Sequence, residues 1–274
     1  MTVTIEIPAL EREEHLEGLI TGYIGHVAVI LMNRPEKANA YNRSMVRAFP
    51  ELWLKYDADS NVRAIVLGST SAKYFSAGID LSEVADDGQI GVDKTLARAV
   101  HMTTRQMHVW KPVVCAVEGV AVGGGLHFVT DADIVVASSA ASFIDTHVER
   151  GFVGALENIG IALKAGLGTA LYMTLVGSDI RLGAERAYNL GLVQELVEPG
   201  QALNRALALA ERIAKNSPSA VAASQEAIWG LPEMGYENAL RHSWVLLRRQ
   251  WSHPDSVEGP RAFADHREPN WAVR

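Results

Sequence analysis

Four short runs of apolar, largely β-branched residues, separated by helical patterns, constrain this chain more than any other feature. They lie within Gly22 to Asn33, from Arg63 to Gly68, from Val113 to Val117 and from Ala132 to Ala137. Runs that are apolar on both faces need cover on both sides, which a largely parallel sheet flanked by helices supplies. The alternation predicts an α/β fold. In the first run a glycine-punctuated turn leads into one buried strand that Arg34-Pro35 ends. A helical pattern follows from about Ser44 to Ala58, with Pro50 placed to bend or break it. Further helices are expected from about Asp93 to Trp110 and directly after Gly123-Gly124-Gly125, and short strands at Ser142 to Asp145 and Val193 to Val197.

Beyond Pro199 the pattern is helix after helix, over about Gln201 to Lys215, Ala220 to Trp229, Tyr236 to Arg249 and Ser256 to His266. No long linker sets them apart. Residues 1–199 therefore read as an α/β core and 200–274 as a helical region packed on that core or on neighbouring subunits. A formal charge of −7, from 25 Lys plus Arg against 32 Asp plus Glu, argues against nucleic acid and anionic membranes as partners and favours small molecules. Cys115 is the single cysteine and reads as a buried strand residue, which leaves neither an internal disulfide nor a thiolate metal cage. The chain lacks a basic-then-apolar leader pattern and any apolar stretch near the ~20 residues that span a bilayer, so a reduced cytoplasm is the expected location.

Two glycine-bearing turns look built to expose backbone N–H groups: Phe75-Ser76-Ala77-Gly78-Ile79-Asp80-Leu81, and Gly119 through Leu126. Glycine allows close approach to a ligand, and a helix start adds unpaired donors with a partial positive potential. Two such turns converging on one point would form an oxyanion hole for charge developing on a carbonyl oxygen. Neither fits Gly-x-Gly-x-x-Gly or the phosphate loop ending in Gly-Lys-Ser/Thr, so nucleotide binding lacks its fingerprint. His101 and His108 lie seven apart on an expected helix without a His-Glu-x-x-His pattern, and no metal site is expected.

With those turns the chain resembles the crotonase, or enoyl-CoA hydratase/isomerase, superfamily over nearly its whole length. The matching segments, in order, are Asn33 to Ala40, Phe75 to Leu81, Lys111 to Gly125, Gly191-Leu192-Val193 with Glu198, Asn216-Ser217-Pro218, Glu258 to Phe263 and Arg267 to Trp271. The resemblance implies a superhelix of β-β-α turns whose C-terminal helices help build a homotrimer or a dimer of trimers. It also implies an acyl-CoA thioester as ligand, with coenzyme A arriving as part of the substrate and no separate cofactor. By position, the backbone N–H groups of Ile79 and Gly124 would hold the thioester oxygen. Backbone around Lys37, Ala38, Ala40 and Ala77 would meet the adenine and pantetheine portions, with Gly78, Asp80 and Gly123 in the walls of the site and Asp80 in a structural role.

In the hydratases of this family two glutamates handle water and the α-proton. Here the position after Gly123-Gly124-Gly125-Leu126 is His127, and the second position, in Phe143-Ile144-Asp145-Thr146-His147, is again histidine. Imidazole titrates near neutrality and can give or accept a proton, yet does not copy the charge of two carboxylates. Asp145, Glu149 and Glu157 are the carboxylates placed to compensate; Glu157 could orient His147, act directly or cap the next helix. On the CoA side His266-Arg267 stands for the usual Lys-Arg pair and Gln225 for a lysine, leaving Lys37, Lys73 and Arg267 as cation candidates. The segment Val84 to Thr95 is expected to shape the acyl pocket.

The expected activity is hydration or dehydration of a 2-enoyl-CoA, with His127, His147 and Glu157 moving protons. Double-bond isomerisation, which needs one base, and carbon–carbon hydrolysis, which needs an activated water, are alternatives within the family. A noncatalytic acyl-CoA-binding or assembly subunit is the alternative of another class.

Overall fold

The computed structural model describes residues 4–87 and 101–272. Among them a seven-stranded sheet runs in the order β1 (Glu11–Leu16), β2 (Leu19–Ile24), β3 (Val27–Met32), β4 (Ala64–Ser69), β6 (Val113–Val117), β8 (Ile134–Ser138) and β11 (Glu195–Val197). From β3 onward its pairings are parallel, as strands buried on both faces require. A smaller sheet holds β10 (Arg181–Gly183), β9 (Ser142–Ile144), β7 (Val120–Val122) and β5 (Tyr74–Ser76). The chain is a mixed α/β protein with a helical C-terminal region.

The first apolar run is two strands rather than a turn and one strand: β2 and β3 form a hairpin through Gly25-His26, with Ile24 opposite Val27. β1 escapes sequence reading because its residues, Glu-Arg-Glu-Glu-His-Leu, are all exposed and carry no apolar alternation. Period-two side chains feed two cores. Ala28, Ile30, Met32, Ile65, Leu67, Val113 and Cys115 face one, with the helix α1 (Arg43–Ala58). Val27, Val29, Leu31, Val66, Val114 and Ala116 face the other, where α7 (Ala202–Ala214) lies close because Ala202, Ala206, Ala210 and Ala214 present only methyl groups.

α1 runs unbroken through Pro50, where a bend or a break is expected. Asn42 caps it by accepting from the Met45 N–H at 2.9 Å, and the buried Met45, Phe49, Leu52, Trp53 and Tyr56 hold its inner face, so tertiary packing outweighs one missing donor. The helix expected over Asp93 to Trp110 is not formed in its described part, 101–110, which is a run of turns; the rest, like most of Val84 to Thr95, lies outside the described residues. Val84 itself belongs to α2 (Leu81–Asp87). The remaining helices are α3 (Leu126–Thr130), α4 (Leu156–Ala165), α5 (Leu167–Val176), α6 (Ala184–Asn189), α8 (Pro218–Met234), α9 (Tyr236–Trp251) and α10 (Asp255–Ala264). Among the described residues no helix is long and apolar enough to cross a membrane.

Candidate active site

The parallel pairing of β5 with β7, Tyr74 opposite Val120 and Ser76 opposite Ala121, sends the two glycine turns out side by side. They touch: a Cβ placed on Gly78 would sit 2.9 Å from both the Gly124 nitrogen and the Val122 carbonyl, and Gly78 has φ +84°. No other residue fits that position without strain. On its other side the first turn bridges to Tyr41, with the Tyr41 N–H donating to the Gly78 carbonyl (2.8 Å) and the Asp80 N–H to the Tyr41 carbonyl (3.0 Å). A parallel bridge of this kind leaves the N–H of its middle residue, Ile79, on the opposite side, where the β7 exit lies.

Ile79 and Gly124 line one cleft of about 420 Å³ together with Tyr41, Val84, His127, His147, Phe152, Val153, Leu156 and Glu157. Each acidic or basic group reaches it for an identifiable reason. His127 lies in the first turn of α3, whose neighbour Phe128 is wedged between Phe49 (ring centroids 4.7 Å apart) and Tyr41 (6.4 Å, edge-on). α4 crosses α3 at Gly160, where a Cβ would lie 2.4 Å from the Thr130 Cβ; that close crossing brings the start of α4, and Glu157 with it, beside the histidine. His147 follows β9 and is turned inward by Asp145, whose Oδ1 accepts from both the His147 backbone N–H (2.8 Å) and its Nδ1 (2.7 Å).

The result is a buried His–Glu–His cluster. His147 Nε2 meets Glu157 Oε1 at 2.8 Å, and His127 Nε2 lies 3.5 Å from Glu157 Oε2. Only 4% of the Glu157 side chain is exposed. Hydrogen bonds donated to Asp145 and then to Glu157 push the His147 imidazole up to about 10, against the opposing pull of burial. Burial pushes the Asp145 carboxyl up, but its bonds from the His147 ring and backbone and from Asn158 outweigh it and hold Asp145 at about 2. Glu157 is lowered as well, burial being overcome first by the hydrogen bond from His147. At neutral pH the pair is therefore an imidazolium facing a carboxylate. Glu157 sits in the first turn of α4 with its side chain turned to the histidines, and Glu149 is directed away, accepting from the Ser178 hydroxyl at 2.7 Å.

Three participants left little trace in the sequence. Tyr41 crowds the second turn, since a Cβ on Gly124 would fall 2.0 Å from its hydroxyl; burial, and then the Glu157 charge, raise this phenol above the ordinary tyrosine range. Asn158 donates to Asp145 Oδ2 and to the Thr174 hydroxyl, bracing the carboxylate behind His147. Gln106 reaches His127 Nδ1 with its Nε2 at 3.4 Å from within the run of turns. Tyr41 had one signal, an aromatic side chain directly after a turn of small residues; Gln106 had none.

The other expected residues are placed as follows. Ala38 and Asn39 adopt left-handed backbone, φ +51° and +53°, in the turn that carries Lys37 and Ala40, and the Ala77 N–H donates to the Ala38 carbonyl at 2.9 Å. Asp80 spends its side chain on structure: hydrogen bonds from Ser82, then from Arg34 at 3.1 Å, hold it below the usual carboxylate range. Gly123 lies beside the site, a Cβ there falling 3.6 Å from His147 Cε1. Arg267 is paired with Glu258 at 2.7 Å, and Gln225 donates to Asp133 at 2.8 Å, docking α8 on the core. His108, with φ +54°, stands edge-on to Trp110 in a turn rather than sharing a helical face with His101.

Comparison with known proteins identifies the family. The (E)-benzylidenesuccinyl-CoA hydratase of Thauera aromatica is 30% identical over 244 residues, 89% of this chain and 94% of the relative. The carnitinyl-CoA dehydratase of Escherichia coli is 30% identical over 254 residues, 91% of this chain and 96% of the relative. A crystal structure of an enoyl-CoA hydratase/isomerase from Mycobacterium paratuberculosis superposes with a TM-score of 0.87 at 32% identity, covering 94% of this chain and 99% of the other. The family model for enoyl-CoA hydratase/isomerase matches residues 24–274. On this match and the shared fold, the chain belongs to the enoyl-CoA hydratase/isomerase family of the crotonase superfamily, and is an enzyme of that family.

Proposed function

We propose that this enzyme hydrates a 2-enoyl-CoA or dehydrates the matching 3-hydroxyacyl-CoA, with the thioester oxygen on the Ile79 and Gly124 amides. The observation that carries the reading is the shared cleft: Ile79 and Gly124 line it together with the largely buried His147–Glu157 pair. Charge that develops on the oxygen when the α-proton leaves is stabilised by fixed N–H dipoles where little water enters. In the dehydration direction the Glu157 carboxylate takes the α-proton and the His147 imidazolium protonates the departing hydroxyl; hydration reverses both transfers. With both family glutamates replaced by His127 and His147, Glu157 supplies the carboxylate. Lys37, Ala38 and Ala40, with Ala77 bonded to Ala38, are the backbone assigned to CoA, with Gly78, Asp80 and Gly123 in the walls of the site, and the chemistry requires no cofactor beyond the CoA of the substrate.

The oligomer follows from the same face of the molecule. Val153 (83% exposed) and Leu156 line the cleft and continue into an apolar surface formed by Ile159, Leu163, Leu167 and Leu175 on α4 and α5. Further copies of this chain, as a trimer or a dimer of trimers, are the occupants proposed for it. Sedimentation at micromolar concentration reads the state directly, and a monomer would reject this assignment.

A screen of enoyl, 3-hydroxyacyl and branched 3-oxoacyl CoA thioesters tests the reaction, followed by product formation and by solvent deuterium exchange at Cα. Hydration of an enoyl thioester is expected. Exchange with double-bond migration alone would favour isomerisation, cleavage of the 3-oxo substrates would favour hydrolysis, and tight binding without either would mark a noncatalytic acyl-CoA binder.

A further inference from the structure

The two imidazoles that share Glu157 have opposite surroundings. His147 has a carboxylate at each ring nitrogen, Asp145 at Nδ1 (2.7 Å) and Glu157 at Nε2 (2.8 Å). Among the described residues His127 has a carboxylate only at Nε2, while its Nδ1 faces the side-chain amide of Gln106 at 3.4 Å. That amide has a determined orientation. The backbone N–H of Met102, which can only donate, meets Gln106 Oε1 at 2.8 Å, so the other arm of the amide is the NH₂ group. A second set of bonds fixes the stem of this side chain: the Gln106 N–H donates to the Thr103 hydroxyl (3.2 Å), which donates to Asp131 (2.7 Å). An NH₂ group can bond only to a ring nitrogen that carries a lone pair. Protonation of Nδ1 would set N–H against N–H in a partly buried space, with a loss of one hydrogen bond and a repulsion in its place.

We propose that Gln106 is a positioning residue that fixes His127 as its Nε2–H tautomer, making this imidazole a hydrogen-bond donor toward Glu157 and the cleft rather than a proton acceptor. Among the described residues, the charged groups facing the ring are Glu157 from α4 and Asp131 at the end of its own helix. Neither contacts Nδ1 in place of Gln106. The labour is thus divided: His147 and Glu157 exchange the proton, while His127 holds the second oxygen of Glu157 and presents a donor. The tautomer stands on hydrogen bonding alone, and only its catalytic meaning rests on the proposed function.

The test is the nitrogen spectrum of the full-length protein labelled with ¹⁵N-histidine, at neutral pH and without substrate, with the His127 ring assigned by its loss in His127→Gln. The expected result is a pyridine-type Nδ1 and a pyrrole-type Nε2, together with loss of that asymmetry in Gln106→Leu and a protonated Nδ1 in Gln106→Glu. A protonated Nδ1 in the unaltered protein would overturn the proposal. So would a Gln106→Leu spectrum unchanged from it, since another group would then be setting the tautomer. The unaltered protein decides the tautomer even if neither variant folds. Because no turnover is read, an inactive enoyl-CoA assay would count against the proposed reaction and leave this result standing.

Discussion

Replacing Glu157 by Gln removes one negative charge from between two imidazoles while keeping the volume of the side chain, which makes it the most informative single change. The contact to His147 is 2.8 Å long, with 17% and 4% of the two side chains exposed, so solvent screens it little. A hydrogen bond between charged groups contributes about 1.5–3 kcal/mol, and 1.36 kcal/mol corresponds to a tenfold change in protonation equilibrium. The His147 midpoint should therefore fall from about 10 to roughly 8–9, Asp145 remaining in place. Because folding raises this imidazole, its stabilising contribution is complete below the unfolded value near ~6.5 and is lost as pH rises through about 10. In Glu157→Gln that alkaline limit should retreat by the same interval. Titration of the His147 ring by NMR, with urea unfolding from neutral pH upward, measures both. A midpoint still near 10 would show that Glu157 does not hold the charge, and turnover unchanged within ~10-fold would remove it from the proton path, where losses of ~10²–10⁴ are expected.

Gly124→Ala should fold yet lose about 10²-fold or more in kcat, because its methyl group would occupy the place of the Tyr41 hydroxyl, 2.0 Å away, and displace the amide from the acyl oxygen. Adding Tyr41→Phe should restore part of that loss, and a double variant no better than the single one would show that the crowding is not the cause. Glu118 accepts from the Gly200 and Ala202 N–H groups at 2.9 and 2.5 Å, fastening the start of α7. Glu118→Ala should cost about 1–3 kcal/mol in denaturant unfolding while leaving kcat near its original value, and a neutral effect on stability would contradict that role. Asp145 is lowered by folding to about 2, so its contribution is present above the unfolded value near ~3.9 and fades as pH falls toward 2. Asp145→Asn should flatten the acid limb of stability over that range, and an unchanged slope would contradict the pairing.

The parallel strands were legible because they are buried on both faces: Val113 to Val117 coincides with β6 at both ends. β1 was not, since strand pairing with β2 gives it order without any apolar demand on its six exposed side chains. Pro50 misled in the opposite direction, because the local cost of proline was readable while the compensating aromatic packing of Phe49 and Trp53 was a tertiary fact. In the site, the glycine turns announced themselves through composition, and the family resemblance pointed to positions 127, 147 and 157. It said nothing of how they connect. That a single carboxylate would bridge both imidazoles depends on the crossing of α3 and α4 at Gly160, a contact with no local signature. Gln106 was hidden for a related reason, lying in a segment whose helical periodicity is overridden by the hydrogen bonds from Met102 to Gln106 and from Thr103 to Asp131.

The convergence of two backbone amides on one acyl oxygen is best tested by a crystal structure of the enzyme with a slowly reacting acyl-CoA thioester. The thioester oxygen is expected within about 3 Å of both the Ile79 and Gly124 nitrogens, with the acyl carbons toward His147 and Glu157. A thioester whose oxygen is held elsewhere, or whose acyl chain runs away from the His–Glu–His cluster, would contradict it.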